Sequence, residues 1–287
     1  MAEPAQHRGG APASRRLRRF LRHPGAVIGS AIVLLVVASA VLAPVLTPYG
    51  PDTRNVRERF APPSATHLFG TDNFGRDTLT RVLHGGRVSL RVAIGAVGIA
   101  AAVGILLGAL AGFLGGAVDV VIMRVVDVFL AFPPILLALL LVAAVGTGER
   151  SVTVALGLIY WTAYARVIRA NVIALREEEF VAASRASGAP WYRTLFRHVL
   201  PNTLAPVIVV ASVGLGSAVT AEAALSFLGL GIQPPTPSWG AILNTGLQFI
   251  RETPYLSTFP GLAIMVTVLG FNLLGDGLRD VLDPREM

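Results

Sequence analysis

Residues 176–202 read REEEFVAASRASGAPWYRTLFRHVLPN and form the longest run of mixed charge between apolar segments of this chain. The acidic residues 177–179 favour a helix N-terminus, where the helix dipole is positive. Gly188 and Pro190 then break this helix, and a second short helix is expected from Trp191 to Val199, ending near Pro201. The stretch predicts two short helices that meet at a glycine and project from the apolar part of the chain. A plain solvated hairpin is the alternative.

The composition is that of a membrane protein. Of the 287 residues, 53% are apolar and only 14% are charged, against about 25% charged residues in soluble domains. All 24 basic residues are arginine, so the chain cannot supply the lysine of a phosphate-binding P-loop. It has no cysteine, which excludes disulfides and thiol chemistry. The net charge of +7 is better explained by loops near anionic lipid than by nucleic acid binding.

Six apolar segments predict an all-α protein with six transmembrane helices. The segments are 26–46, 92–113, 119–145, 152–168, 204–230 and 259–274. The predicted organisation is a cytoplasmic arm (1–25), a first transmembrane helix (26–46), an extracytoplasmic loop (47–87), a five-helix core (88–276) that contains the loop 176–202, and a cytoplasmic tail (277–287). The arginine distribution favours cytoplasmic termini. A twin-arginine export signal is the alternative for the N-terminal arginines, but the first apolar segment is long enough to span a membrane.

Glycines at 104, 108 and 112 recur every four residues in the second apolar segment. This spacing produces a flat helix face that another helix can approach closely. We expect this face to pack within the chain.

Several polar residues lie in or beside the predicted spans. Arg124 and Asp127 are three residues apart on one helix face and are expected to form a structural ion pair near the cytoplasmic end, with a substrate site as the alternative. Glu222 lies in the fifth segment and should face the protein interior or a wet cavity. With Ser226 and Asn272 it is a candidate for the transport path.

The loop after the first span contains closely spaced glycines and charges at Gly70, Thr71, Asp72, Gly75, Arg76 and Asp77. Glycine at these intervals indicates tight turns. The charged trio could bind an ion, but pairs that stabilise the turns are the more common arrangement.

Several motifs resemble those of one family. The spacing from Gly188 to Leu200-Pro201 resembles the EAA loop of ABC-importer permeases, and 198–202 (HVLPN) is similar to the HxLPN form of peptide permeases. The segment 70–77 (GTDNFGRD) resembles the GTDxxGRD signature of the C-type subunits of dipeptide and oligopeptide permeases. The segments 222–231, 237–240, 272–280 and 283–285 continue the likeness. The chain departs from the EAA pattern at Ala182, where the family often has Glu, and at Ser184, where it has Ala.

The resemblance implies a type I ABC-importer permease fold with a cytoplasmic coupling loop in the plasma (inner) membrane of a bacterium. Residues implied to meet an ATPase subunit are Glu179, Ala182, Ala183, Gly188, Ala189, Trp191, Arg193, His198, Leu200, Pro201 and Asn202. The chain itself would have no catalytic residue, metal site or cofactor, because partner ATPases bind ATP and Mg²⁺.

The implied partners are a second (B-type) permease, one or two ABC ATPase subunits, an extracytoplasmic peptide-binding protein and membrane lipid, without nucleic acid. The implied cargo is a di- or oligopeptide. Nickel, glutathione or another small solute is the alternative within the family. Outside it, a secondary transporter or a membrane scaffold without transport is less consistent with the sequence, because the spans carry few charges and no series of carboxylates.

Overall fold

The fold is described from a computed structural model that covers residues 13–282, with side chains from residue 18 onward. Residues 1–12 of the predicted arm and residues 283–287 of the predicted tail, including Asp283, Pro284 and Arg285, lie outside the described residues. Within the described part the chain is helical, and the only extended pairing there is an isolated bridge between Thr71 and Asp77.

Twelve α-helices follow one another in the described residues. They are α1 (Ala13–Arg22), α2 (Pro24–Val41), α3 (Ala43–Leu46), α4 (Thr78–Leu114), α5 (Gly116–Leu130), α6 (Pro134–Val145), α7 (Glu149–Arg176), α8 (Glu179–Ala186), α9 (Trp191–Arg193), α10 (Leu204–Phe227), α11 (Trp239–Gln248) and α12 (Tyr255–Leu282). Short 3₁₀ turns lie at Val56–Glu58 and Leu200–Thr203, and π-type turns lie at Thr194–Val199.

Five helical segments in the described residues are long and apolar enough to cross a membrane: α2, α4, α7, the continuous segment Trp191–Phe227, and α12. The predicted third span is divided into α5 and α6, which meet at an angle of 90°. The break falls at Pro133-Pro134, because a residue that precedes proline is disfavoured in the helical conformation. The predicted all-α membrane architecture is confirmed, with a broken third span.

Three boundaries differ from the sequence-based prediction. Helix α4 begins at Thr78, so its first turns occupy the end of the predicted loop 47–87. The segment between the fifth and sixth predicted spans contains the helix α11, which Ser238 caps through a hydrogen bond from the Ala241 N–H. The helix that starts at Trp191 does not end at Pro201 but continues into α10.

The core is built around the close pair α4 and α7. A Cβ added to Gly104 would lie 2.5 Å from the Trp161 carbonyl oxygen, and one added to Gly112 would lie 2.8 Å from that of Arg169. The glycine face predicted from the spacing therefore lies directly against the backbone of α7. This contact aligns two of the longest helices and fixes the frame on which the remaining helices pack.

The first span, α2, packs against α12. Gly29 lies so near the backbone of α12 that an added Cβ would be 2.5 Å from the Leu274 nitrogen. At the end of this contact His23 caps α2 through its Nδ1, and its Nε2 is 3.0 Å from Asp280. The described ends of the chain therefore lie on the same side of the helix bundle.

Candidate functional site

The stretch 176–202 folds into the predicted helical hairpin. Helix α8 starts at Glu179 and ends beside Gly188, whose φ of +76° is left-handed. The Ala189 N–H donates to the Ser184 carbonyl at 3.2 Å, which closes the turn after α8. The Ser184 and Thr194 hydroxyls are 3.0 Å apart across the hairpin. The prediction of two helices that meet at a glycine is correct.

Buried side chains attach the hairpin to the helix bundle. Val181, Leu195 and Val199 are fully buried in the same apolar cluster as the core of α4 and α7. The guanidinium of Arg185 lies 5.5 Å from the ring centre of Phe113, at the end of α4. This packing connects the hairpin to the end of α4 and to the buried core.

The other side of the hairpin is open. All eleven residues that the EAA resemblance assigns to ATPase contact are described, and none is buried. Exposed are Glu179, Ala182, Ala183, Gly188, Trp191, Arg193, Pro201 and Asn202, whereas Ala189, His198 and Leu200 are half-buried.

Three further exposed aromatic residues lie on this surface: Phe180, Tyr192 and Phe196. Exposed groups of large apolar side chains are typical of interaction surfaces. These three residues were not predicted from the sequence, although aromatic side chains in a charged loop were a signal that could have identified them.

The hairpin leads without a break into α10. The side-chain amide of Asn202 donates to the His198 carbonyl at 2.7 Å, so the turns around Pro201 remain helical. Pro201 lies in the first turn of a 3₁₀ segment, where a backbone N–H would have no partner within the helix, so its absence costs little stability. Displacement of the hairpin would therefore be transmitted directly along α10.

The loop signature 70–77 forms a buried turn. Asp72 accepts hydrogen bonds from the Phe74 N–H at 2.8 Å, the Arg76 N–H at 3.0 Å and the Arg76 Nε at 2.6 Å. Gly70 and Gly75 both have a φ of +71°, and an added Cβ at Gly70 would lie 2.6 Å from the ring of Tyr255. Thr71 donates to the Glu58 carbonyl and accepts from the Ala61 N–H. The charged groups of Asp72 and Arg76 pair with each other, and Thr71 is bonded to the neighbouring backbone, which favours the structural interpretation over ion binding.

Asp77 connects this turn to α4. One oxygen accepts from the Thr80 N–H at 2.7 Å and caps the helix, while the other lies 2.8 Å from Nδ1 of the buried His67. Glu58 is 3.3 Å from Nε2 of the same ring. Desolvation lowers the pKa of His67, but the hydrogen bonds to Asp77 and Glu58 outweigh it and raise that pKa above its usual value.

The predicted ion pair of Arg124 and Asp127 is wrong. Asp127 pairs instead with Arg166 of α7, whose Nη2 lies 3.0 Å from the Asp127 Oδ1. Arg124 is exposed on α5. Helical spacing placed the two residues within reach, but the packing of α5 against α7 brings a closer cation to Asp127. A second pair, Asp119 with Arg169, connects the same two helices.

The three candidate path residues differ in position. Glu222 is 0% exposed, and its Oε1 accepts from the Ser226 hydroxyl at 2.7 Å. Asn272 is exposed on α12 beside Gly216. The structure therefore places Glu222 and Ser226 inside the subunit, while Asn272 lies on its surface.

An open cavity of about 340 Å³ lies between α7 and α10. Its walls include Tyr160, Ala163 and Tyr164 of α7, with Gly214 and Ser217 of α10. The walls are mainly apolar with a few hydroxyl groups, as in small-molecule sites of this size. The two helices that form the cavity are the ones joined by the hairpin.

These features define a multi-pass helical membrane protein in which α7 and α10 are joined by a packed hairpin with exposed aromatic side chains. The family described as binding-protein-dependent transport system inner membrane component matches residues 104–287, and the N-terminal TM domain of oligopeptide transport permease C matches residues 12–63. The chain belongs to the family of binding-protein-dependent transport system inner membrane components. The type I importer permease fold expected from the resemblance is therefore confirmed.

Named relatives cover nearly the whole chain. The dipeptide transport system permease protein of Alkalihalophilus pseudofirmus is 44% identical over 274 residues, which is 96% of this chain and 90% of the relative. The di/tripeptide transport system permease protein of Pseudomonas aeruginosa is 43% identical, covering 93% and 90%. The glutathione transport system permease protein of Pectobacterium atrosepticum is 44% identical, covering 93% and 89%.

Proposed function

We propose that this chain is one permease subunit of an ATP-driven importer of di- or oligopeptides. A second permease completes the translocation path, and cytoplasmic ATPases bind ATP and Mg²⁺ and drive the cycle. An extracytoplasmic binding protein delivers the peptide. The chain lies in the bacterial plasma membrane with the hairpin and both termini in the cytoplasm.

The observation that carries this proposal is the hairpin of residues 176–202. One side is fixed in the core by Val181, Leu195 and Val199, and the other exposes Phe180, Trp191, Tyr192 and Phe196. A docking surface that is rigidly continuous with α10 can convert the movement of a bound partner into movement of a membrane helix. The chain lacks lysine and therefore a P-loop of its own, so the partner has to supply the nucleotide site.

The peptide substrate is supported by the relatives from A. pseudofirmus and P. aeruginosa, whose names specify dipeptides and di/tripeptides. The relative from P. atrosepticum, named for glutathione, supports the second candidate at similar identity. Uptake of labelled dipeptide and of labelled glutathione by the same reconstituted importer separates the two. Dipeptide uptake that depends on ATP and on the binding protein is the expected result.

The docking surface and its side of the membrane can be tested with a single introduced thiol, since the natural chain has no cysteine. Ser187→Cys places the thiol on the exposed end of α8. A membrane-impermeant thiol reagent should label it in inside-out vesicles and not in intact cells, and added ATPase subunits should protect it. Labelling from the outer side would refute the coupling role of the hairpin.

A further inference from the structure

The ion pair between Asp127 and Arg166 is unusually open for its position. The side chains are 52% and 54% exposed, with 3.0 Å between the Oδ1 of Asp127 and the Nη2 of Arg166. Asp119 and Arg169, which connect the same helices, are only 20% and 33% exposed. The attachment of α5 to α7 is therefore already provided by the more buried pair.

When α7 is centred in the bilayer, this open pair lies within the hydrocarbon region. Helix α7 has 28 residues, or about 42 Å at 1.5 Å per residue, and the hydrocarbon core is about 30 Å thick. Arg166 lies ten residues before the end of α7 at Arg176, hence roughly 9 Å inside a centred core. On α5, Phe129 packs edge-on against Trp161, near the middle of α7, with 5.8 Å between ring centres.

The side chain of Arg166 has no short route to the cytoplasmic surface. Helical side chains lean toward the N-terminus of their helix, so Arg166 leans away from the Arg176 end and further into the membrane. Exposed charges at such depth are placed against water or protein and not against acyl chains. The face that carries this pair is therefore directed toward an aqueous space or another subunit.

Polar groups on neighbouring helices favour an aqueous space. Ala163, one turn before Arg166, lines the cavity between α7 and α10, and Ser217 lines its other side. The Tyr164 hydroxyl is buried at this cavity without a hydrogen-bond partner among the described residues.

We propose that the Asp127–Arg166 pair and the adjoining cavity form part of the wall of the translocation path, where the pair binds the charged ends of a passing peptide. This inference rests on the proposed function. The Arg166 guanidinium offers paired donors to the peptide carboxylate, and Asp127 accepts from the peptide ammonium group. Because each charge exchanges one partner for another, neither remains unpaired inside the membrane during passage.

Water access is tested with Ala163→Cys in the complete importer, assembled with partner subunits that also lack cysteine. A hydrophilic thiol reagent should modify this thiol about tenfold faster than Leu34→Cys, which is exposed on α2, because charged reagents partition poorly into lipid. The rate should change when the ATPases are trapped with ATP and vanadate. An Ala163→Cys thiol that stays unmodified in every nucleotide state would overturn the proposal and place this face against the second permease or lipid.

The role of the charges is tested with Arg166→Gln, Asp127→Asn and the exchanged pair Asp127→Arg with Arg166→Asp. Each single change should lower uptake of a free dipeptide about tenfold at saturating binding protein. The exchanged pair should recover thermal stability but not uptake, because the positions of the positive and negative charges that bind the two ends of the peptide would be reversed. Recovery of both would show that the pair only attaches α5 to α7.

Arg91→Gln is the matched control, because Arg91 forms a similarly exposed pair with Glu149 at the other end of α7. It should leave uptake within about twofold of the natural chain. A tenfold loss of uptake in Arg91→Gln would show that breaking any exposed ion pair of α7 impairs transport, and it would contradict the proposal. Failure of the natural complex to import any peptide would contradict the proposed function, whereas import without these effects would contradict the present inference alone.

Discussion

Ser226 donates a hydrogen bond of 2.7 Å to Glu222 one helical turn earlier, and both side chains are enclosed within the subunit. The Ser226 oxygen also accepts the Ile232 N–H at 3.0 Å, so the pair fixes the chain that leaves α10. Ser89 of α4 and Ser238, which caps α11, flank the carboxyl group. Glu222 thereby lies where α4, α10 and α11 converge, and its hydrogen bond to Ser226 favours a structural role for its side chain.

Glu222→Gln is expected to be tolerated, because the amide keeps the acceptor for Ser226 and presents an N–H to the flanking hydroxyls. Glu222→Ala should destabilise the subunit by about 2–3 kcal/mol through the cavity and the lost hydrogen bond. Thermal unfolding of the purified complex in detergent measures both changes. Unchanged stability of Glu222→Ala together with lost uptake would instead support the path role predicted from the sequence.

Gly188 allows a test of the hairpin that alters backbone conformation alone. Its φ is +76°, and no atom lies within 4 Å of an added Cβ. Asparagine tolerates the left-handed region, whereas a β-branched residue there is strained by about 1–2 kcal/mol. We therefore expect Gly188→Asn to retain coupled uptake and Gly188→Val to reduce it several-fold with normal membrane insertion.

The ratio of peptide imported to ATP hydrolysed, measured in proteoliposomes, is the appropriate measurement for these variants. A coupling defect lowers this ratio, whereas a general loss of protein lowers both quantities together. Normal uptake and normal peptide-stimulated hydrolysis by Gly188→Val would contradict the assignment of the hairpin as the coupling element.

The close contact between α4 and α7 predicts a strong contrast between two glycines of the same helix. A Cβ at Gly108 would lie 2.9 Å from the Cα of Ala165, whereas a Cβ at Gly98 meets nothing within 4 Å. Gly108→Ala should separate the helices and destabilise the subunit by about 1–3 kcal/mol. Gly98→Ala should be neutral or slightly stabilising, since alanine is the better helix former. Equal melting temperatures for the two variants would contradict the close packing of α4 on α7.

The sequence predicted the features that depend on local pattern. Apolar runs located the spans, the four-residue glycine spacing identified the α4 face, and Gly188 with Pro190 located the hairpin turn. The loop signature was also interpreted correctly as a turn, because closely spaced glycines and short polar side chains favour local hydrogen bonds.

The features that depend on tertiary contact could not be read from the same patterns. Spacing suggested Arg124 as the partner of Asp127, but only the packing of α5 on α7 shows that Arg166 is nearer. Helix α11 was missed because Gly240 and the surrounding prolines resemble loop composition. Its position is stabilised by the Trp239 indole N–H, which donates to the Val82 carbonyl at 2.9 Å, a contact between distant parts of the chain.

His67 should make the stability of the loop that precedes α4 depend on pH. Its ring lies between Asp77 and Glu58, whose hydrogen bonds raise its pKa above the ordinary value of 6.5 despite desolvation. A raised pKa in the folded state means that the protonated ring stabilises the fold. This contribution is complete below pH 6.5 and is lost as the pH rises through the raised folded pKa. Melting temperatures of the purified complex should therefore fall as the pH rises from 6.5 through the raised pKa of His67.

His67→Gln should remove this component of the pH dependence, because glutamine keeps hydrogen-bonding capacity without a titratable ring. His198→Gln, in the hairpin, is the matched control and should leave the component in place. Hydrogen exchange of residues 56–80 locates the effect, since protection of this loop should decrease with rising pH in the natural chain and not in His67→Gln. Equal pH dependence of the loop in both proteins would show that the ring is not protonated between its two carboxylates.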